Sequence, residues 1–348
     1  MDPLTHATLG AAAALAVAPA RHRRVAAVAG AAAGVLPDAD VFIGSPADPL
    51  LAIEYHRHFT HALVMQPVLA ALAMVLVWAL LRPFSGLRIP MHVLYLPALA
   101  AGISHVICDA WTSYGTRIWW PFSDARVAWD LTSVIDPLFT VPVLLLTIVA
   151  ICAPRSKLRV HLWPWVWVLL YLGAAMLQQQ RALGEVERWM VMQNRQPQRI
   201  TVKPSFGNII VWRAILDEGA WFQALAVRPG LRQVELIVGE KAIRLEHDPG
   251  FPGLPPDSVQ AADLERFRHF SDNWLALVPQ GDGRLVVGDM RYAMSPRRMG
   301  PLWGIGIDPE HADQHVDWVT FRELRSEAWA ELGALIRGEG FQEDSAAQ

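Results

Sequence analysis

The sequence predicts an α-helical membrane domain of about six transmembrane helices, followed by a small α+β domain outside the membrane. Three observations predict it. Six apolar runs fill the first half of the chain, at about 5–20, 25–36, 62–81, 93–110, 135–153 and 162–178. Mean hydropathy is +0.25 and only 18% of residues are charged, which is low for a soluble chain. Past residue 180 the long runs stop, and short β-rich stretches separated by turn residues take over. The expected division is a membrane domain over 1–180, a helical linker over 181–199 and an extramembrane domain over 200–348.

The third to sixth runs approach the ~20 residues that a helix needs to cross a bilayer. The first two are shorter and rich in Ala and Gly. Gly10, Ala14 and Ala18, and then Gly30 and Gly34, are spaced four apart, which lets helices pack closely; two short spans are favoured over a re-entrant hairpin. Residues 7–20 could pass for a signal peptide, but a signal peptide carries its positive charge ahead of the apolar core. Here Asp2 precedes the run and Arg21, Arg23 and Arg24 follow it, so a retained helix is expected. Residues 178–199 read as a helical stalk. Beyond it, strands are expected at 209–215, 221–227, 234–238 and 285–287, and helices at 264–277 and 320–336.

Charge sets an orientation. Arg21, Arg23, Arg24, Arg82, Arg88, Arg155, Lys157 and Arg159 lie in one set of loops that has no acidic residue. The opposite loops, 37–61 and 111–134, hold Arg57, Arg117 and Arg126 among several acids. Cytoplasmic loops carry the excess of Lys and Arg. The chain is therefore expected to be a multi-pass protein of an inner membrane with both termini periplasmic. The net charge of −3 argues against nucleic acid as a partner. Fifteen Trp residues, several flanking the apolar runs, fit an interfacial belt in contact with the lipid bilayer. Cys108 and Cys152 both fall in apolar runs and are expected to be buried thiols rather than a disulfide.

Ionisable residues at the ends of apolar runs are costly and mark function. His6 opens the first run, and Asp38 and Asp40 close the second. His56, His58 and His61 open the third, His105 and Asp109 close the fourth, and Asp136 opens the fifth. His105 and Asp109 are four apart, on one helical face. The alternation of run ends puts all these residues on one side of the membrane. Imidazole and carboxylate together suit zinc, with manganese or iron as alternatives, and no thiolate lies in the layer. More than four candidate ligands allow one or two ions, and paired ions activate water and clamp a phosphoryl or ester oxygen. Arg57 could bind an anionic substrate group through its planar fork. Asp38 or Asp136 could serve as general base, and Asp124, Asp130 or Asp136 as groups orienting a ligand. The structural alternatives are a hydrogen-bonded pair for His105 and Asp109, and turn or cap roles for Asp38 and Asp40.

The ordered segments Asp2-Pro-Leu-Thr-His6, Leu36-Pro-Asp-Ala-Asp40, His56-Arg-His-Phe-Thr-His61, Ser104-His105 with Asp109, and the stretch from Trp111 to Ser123 resemble the YbcI/YdjM family. Its members are described as membrane-bound metal-dependent hydrolases and as LexA-binding inner-membrane proteins. The resemblance covers roughly residues 1–140 and includes Asp130 and Ile135-Asp136-Pro137. It implies an inner-membrane location, hydrolase activity, and a metal-ligand set of His6, Asp38, Asp40, His56, His61, His105 and Asp109. This chain has Ala62 where members often carry Ser. No role is implied for the C-terminal part.

The leading expectation is an enzyme, a metal-dependent hydrolase acting on a small-molecule or lipid-like substrate, such as a phosphoester, at the outer face of the membrane. One alternative is a non-catalytic membrane binding or regulatory protein with a LexA-type partner. Another is a metal-ion transporter, against which stands the clustering of the polar residues at one membrane edge.

Overall fold

The computed structural model describes residues 1–83, 90–154, 159–281, 283–321 and 325–341. Arg88, Arg155 and Lys157, three of the basic residues that set the expected orientation, lie outside them. The chain divides into two compact units. The first comprises Met1–Ile43, Tyr55–Met176 and Phe206–Asn208; the second comprises Gly44–Glu54, Leu177–Ser205 and Ile209–Gln348.

The first unit is helical. Helix α1 (Pro3–Val17) starts where the Asp2 carboxylate accepts the amides of Leu4 and Thr5, with Pro3 in the first turn. Helix α2 (Arg23–Val35) runs antiparallel to it, pairing Gly10 with Gly30 and His6 with Gly34. A side chain added at Gly10 or Gly30 would come within 2.3 Å of the other's carbonyl, and one at Gly34 within 2.5 Å of the His6 carbonyl. The small-residue spacing is thus realised as close backbone packing. A 3₁₀ segment, Leu36–Phe42, continues α2 through Asp38 and Asp40. After the short helix α3 (Leu51–Tyr55) and a 3₁₀ turn at Phe59–His61 come α4 (Gln66–Leu81), α5 (His92–Trp111) and α6 (Pro137–Cys152). Helix α7 (Trp163–Met192) follows. Alanines 33, 70, 73, 98 and 101 form a buried seam among α2, α4 and α5.

Among the described residues, four helical stretches are long and apolar enough to cross a membrane: Ala20–Phe42, Leu63–Leu81, His92–Trp111 and Val160–Met192. Pro3–Val17 and Pro137–Cys152 are apolar but shorter. Many of the large exposed side chains belong to these helices, Leu80, Leu96, Leu145 and Leu169 among them. That is the reverse of a water-facing helix. Cys108 is buried as expected, whereas Cys152 is exposed; neither forms a disulfide. The sixth run and the expected stalk as far as Met192 are one continuous helix, α7; the rest of the stalk is not helical, and Arg199 already opens a strand. Ala182, Val186 and Trp189 from its second half pack into the core of the second unit.

The second unit holds two four-stranded antiparallel sheets, each a simple meander. The first orders β1 (Arg199–Pro204), β2 (Trp212–Asp217), β3 (Trp221–Pro229) and β4 (Val234–Ile243). The second orders β5 (Leu275–Val278), β6 (Leu285–Asp289), β7 (Trp303–Ile307) and β8 (Asp317–Thr320). Strands β2 and β3 are buried on both faces. One face meets α7, and Ile215, Phe222 and Ala224 on the other meet Trp274, Ala276 and Met290. The helix expected over 264–277 is instead α8 (Val259–Phe270) followed by β5. Asp272 and Asn273 take positive φ angles of 51° and 57°, which no helix accommodates, and Ser258 supplies the N-cap. The second expected helix is α9 (Arg325–Arg337), starting later than residue 320, which belongs to β8.

Candidate metal centre

Four elements of the first unit deliver ionisable side chains to one buried place. Helix α1 brings His6, the 3₁₀ segment after α2 brings Asp38, the turn before α4 brings His61, and α5 brings His105 and Asp109. One ligand atom from each of His6, Asp38, His105 and Asp109 lies within 4.8 Å of all the others. His61 joins them: its Nε2 is 3.2 Å from Asp109 Oδ2, 3.4 Å from Asp38 Oδ1 and 2.9 Å from His105 Nε2. His6 stacks on His105 with ring centroids 3.7 Å apart, its Nε2 3.1 Å from Asp109 Oδ1. All of these side chains are fully buried except Asp38, which keeps 15% of its surface.

The outer nitrogens fix which ring atoms face the centre. His105 Nδ1 lies 2.7 Å from the Gly34 carbonyl, which can only accept, so Nδ1 carries the hydrogen and Nε2 the lone pair. His61 Nδ1 sits 3.2 Å from Asp40 Oδ2 and 3.0 Å from the Thr60 hydroxyl, which itself donates to Asp40. Both neighbours act as acceptors, so His61 likewise turns a lone pair inward. In the neutral rings two imidazole lone pairs would thus face each other at 2.9 Å, beside two carboxylates. Such a set is complete only with positive charge among it. Burial works against an imidazolium at His61, yet Asp109, Asp38 and Asp40 outweigh it and raise this group to about 10. The Met1 ammonium also lies here, hydrogen-bonded to Asp109 and 2.9 Å from His6 Nε2. Among the described residues Oδ2 of Asp109 takes no hydrogen bond while the His61 Nε2 3.2 Å away is unprotonated. Nitrogen and oxygen donors, with the outer hydrogen bonds of His61 and His105 already made, are the donor chemistry of a zinc or related divalent site.

Asp40 organises the loop around this centre. Its Oδ1 pairs with His56 Nδ1 at 2.9 Å, and its Oδ2 accepts the Arg57 amide and the Thr60 hydroxyl, each at 2.9 Å. Asp38, Asp40 and His56 form a second, more open group with ligand atoms within 4.8 Å. Arg57 takes φ 60°, an uncommon conformation for a non-glycine residue, and turns inward. Its guanidinium lies 3.1 Å from Asp109 Oδ1 and donates to the Thr112 hydroxyl at 2.8 Å, stacked over Tyr114. Arg57 thus balances carboxylate charge inside the cluster.

Asp136 is not part of the group. It caps α6 through the Phe139 amide and accepts the Tyr171 hydroxyl at 2.6 Å. Asp124 is exposed and lies 3.6 Å from Arg117, and Asp130 occupies a left-handed turn at φ 54°. The supporting groups that sequence reasoning passed over are the Gly34 carbonyl, Thr60, Thr112 and Gln66. The Gln66 amide donates to the Thr60 and Ala62 carbonyls, tying the turn to the start of α4. A buried Gln at the head of an apolar run was the one available signal for it.

Comparison with curated proteins and with solved structures finds no match. A family model described as "YdjM inner membrane protein" matches residues 1–182, which carry the whole His/Asp cluster. With more than half of its 348 residues so matched, the chain belongs to the YdjM inner membrane protein family.

Proposed function

We propose that this chain is a multi-pass membrane hydrolase that depends on a divalent metal, zinc in the first instance, and takes a phosphoester or lipid-like substrate at the outer face of the inner membrane. The observation that carries the reading is the convergence of His61 Nε2 and His105 Nε2, 2.9 Å apart, on Asp38 and Asp109. In this reading His6, His61, His105, Asp38 and Asp109 hold one ion, and Asp38, Asp40 and His56 offer a place for a second. A bound ion would polarise the substrate oxygen and activate a water molecule. Asp40 and the Gly34 carbonyl hold the two imidazoles in register, and Arg57 offsets the charge of Asp109. Asp38, the one carboxylate of the cluster with solvent access, would be the general base for water where His6, His61, His105 and Asp109 alone hold the ion and leave it unligated.

The reading includes six membrane crossings. At ~1.5 Å per residue, α1 and α6, with 15 and 16 residues, fall short of a ~30 Å core. Local thinning or the flanking turns supply the difference at modest cost. The loop charges put both termini in the periplasm. Alkaline phosphatase fused after residue 180 is expected to be active; an inactive fusion would reverse the orientation.

The central test is metal analysis of purified protein, with hydrolysis of bis-p-nitrophenyl phosphate as the activity probe. Wild type should carry metal and turn over the probe, and His105→Ala with Asp109→Ala should lose both. Equal metal content in the two proteins sinks the ligand assignment. Metal without turnover of phosphoester or lipid probes would favour a binding or regulatory role.

A further inference from the structure

The face of α7 that is apolar at Leu177 becomes cationic one helical turn later. Leu177, Arg181, Gly184 and Arg188 are spaced four, three and four apart, so they share one side of the helix. Leu177 is 61% exposed and stands at the end of the helix's apolar run. The turn between β3 and β4, residues 230–233, sits against this face. Gln178 Nε2 donates to the Pro229 carbonyl at 2.9 Å, and Arg181 Nη2 donates to the Gly230 carbonyl. Arg181 Nη1 donates to Gln178 Oε1 at 2.9 Å, so the acceptors of this guanidinium are neutral. Arg188 pairs with Glu185.

Between helix and turn lies an open cleft of about 540 Å³, lined by Arg181, Gly184, Glu185 and Arg188 on one side and by Arg232 and Gln233 on the other. Three arginines against one glutamate leave it cationic. Gly184 keeps its floor clear, since a Cβ there would meet no atom of the described residues within 4 Å. At the tip of the turn Leu231 is fully exposed, beside the exposed Arg232. Apolar and basic side chains set side by side suit the boundary between acyl chains and headgroups. The depth agrees. At ~1.5 Å per residue, Arg181 stands ~6 Å and Gly184 ~10 Å beyond Leu177. The polar layer on each side of a ~30 Å hydrocarbon core is about 5–8 Å deep. Helical side chains lean toward the N-terminus, here toward the apolar run, and the bonds from Arg181 to Gln178 and from Arg188 to Glu185 follow that direction. We propose that this cleft binds the headgroup of an anionic membrane phospholipid, with Arg181, Arg188 and Arg232 around the phosphate and Leu231 entering the acyl layer. Of the reading above it needs only that α7 crosses the bilayer, and neither metal nor hydrolysis.

The test uses the full chain with Cys152→Ser, which leaves only the buried Cys108, labelled with a nitrobenzoxadiazole dye at Leu231→Cys or at Leu177→Cys. In vesicles of phosphatidylcholine and phosphatidylglycerol that carry spin label on the acyl chains, both dyes should be quenched. Quenching at 177 but not at 231 overturns the proposal and leaves the crossing intact; quenching at neither removes the crossing as well. Native mass spectrometry of the detergent-solubilised protein then counts retained phosphatidylglycerol. Retention should fall about fivefold in Arg232→Gln and in Arg188→Gln, the share of one arginine near a lipid surface. Gly184→Leu keeps every charge, suits a helix and fills the floor, so it should also lose the lipid. Wild-type retention in Gly184→Leu would mean diffuse attraction and sink the cleft. An equal loss in Arg268→Gln, outside the lining, would do the same. Displacement of the phospholipid by inorganic phosphate would hand the cleft to a free anion and overturn the lipid assignment.

Discussion

The Nε2 atoms of His61 and His105 face each other at 2.9 Å, and each ring has committed its Nδ1 hydrogen to an acceptor. While both rings are neutral neither nitrogen can donate to the other, so the pair is satisfied by a proton shared between them or by another cation. A divalent ion that binds the folded form alone stabilises it by mass action, by about 2.7 kcal/mol at a hundred times its Kd. Thermal unfolding in detergent should therefore shift upward with added zinc and downward with chelator. In His105→Ala the response to both should vanish.

Asp40 reaches the ion held by His61 and His105 only through other residues, although with Asp38 and His56 it also lines the proposed second place. With Asp40→Asn, His61 loses the carboxylate at its Nδ1, and His56, Thr60 and the Arg57 amide lose a charged acceptor. Loss of such an orienting group costs about 10–100-fold in metal affinity. Chelator competition should show a drop in that range for Asp40→Asn and a far larger one for His105→Ala. Equal affinities for wild type and Asp40→Asn would remove Asp40 from this role.

The parts of this arrangement that the sequence discloses are those written in helical periodicity. His105 and Asp109 are four apart, His6 follows a cap, and Asp38 follows a proline that closes an apolar run. Those patterns announce both the helix ends and their convergence. The five-residue interval between His56 and His61 announces nothing, because its meaning depends on Arg57 at positive φ, which sends His56 to Asp40 and the guanidinium to Asp109. The same holds for Asp48 and Glu54, whose partner Arg266 is more than two hundred residues away. In the C-terminal part the β-rich runs reveal β3 and β4. Strand β5 is hidden because Leu275–Val278 continues the apolar pattern of α8, and only the left-handed Asp272-Asn273 pair separates them.

Asp136 gives a sharper test of which carboxylates serve chemistry. Its oxygens are bound to the Phe139 amide and the Tyr171 hydroxyl, all within the helical packing of the first unit. Tyr171→Phe leaves a buried acceptor unmet, at a cost of about 1–3 kcal/mol. The expected result is a lower unfolding temperature with metal content unchanged. Loss of bound metal in Tyr171→Phe would tie Asp136 to the centre after all.

The glycines of α1 and α2 set how closely His6 and Asp38 approach. A Cβ at Gly30 would lie 2.3 Å from the Gly10 carbonyl and 2.4 Å from Ala14 Cβ, and the carbonyl cannot swing aside. Gly30→Val should therefore push the helices apart, with a destabilisation of at least the ~1–3 kcal/mol typical of overpacking, and should lose bound metal as well. A methyl group added at Gly173, in α7, would meet no atom of the described residues within 4 Å, so Gly173→Ala should raise stability by about 0.5–1 kcal/mol with metal unaffected. Paired melts and metal analyses of the two variants check both signs.

Within the second unit Arg266 of α8 holds Asp48 in a bidentate fork, Nη1 and Nη2 each donating at 3.0 Å, which makes the stability of this unit depend on pH. Asp48 is opposed by its own partial burial but held below the ordinary carboxylate range by the hydrogen bonds and charge of Arg266, with the Leu50 amide and His315 helping. Glu54 and Asp263 are the other charged groups facing the guanidinium. Because the folded form binds the Asp48 proton less readily than the unfolded chain, the stabilisation is complete above the ordinary value. It is lost as pH falls through the lower, folded-state value. The comparison to make is wild type against Asp48→Asn, by denaturant midpoint in the presence of chelator. The gap between them should hold steady from neutral pH down to about pH 5 and close below about pH 4. A gap that widens on acidification would mean that Asp48 is not held as a carboxylate by Arg266.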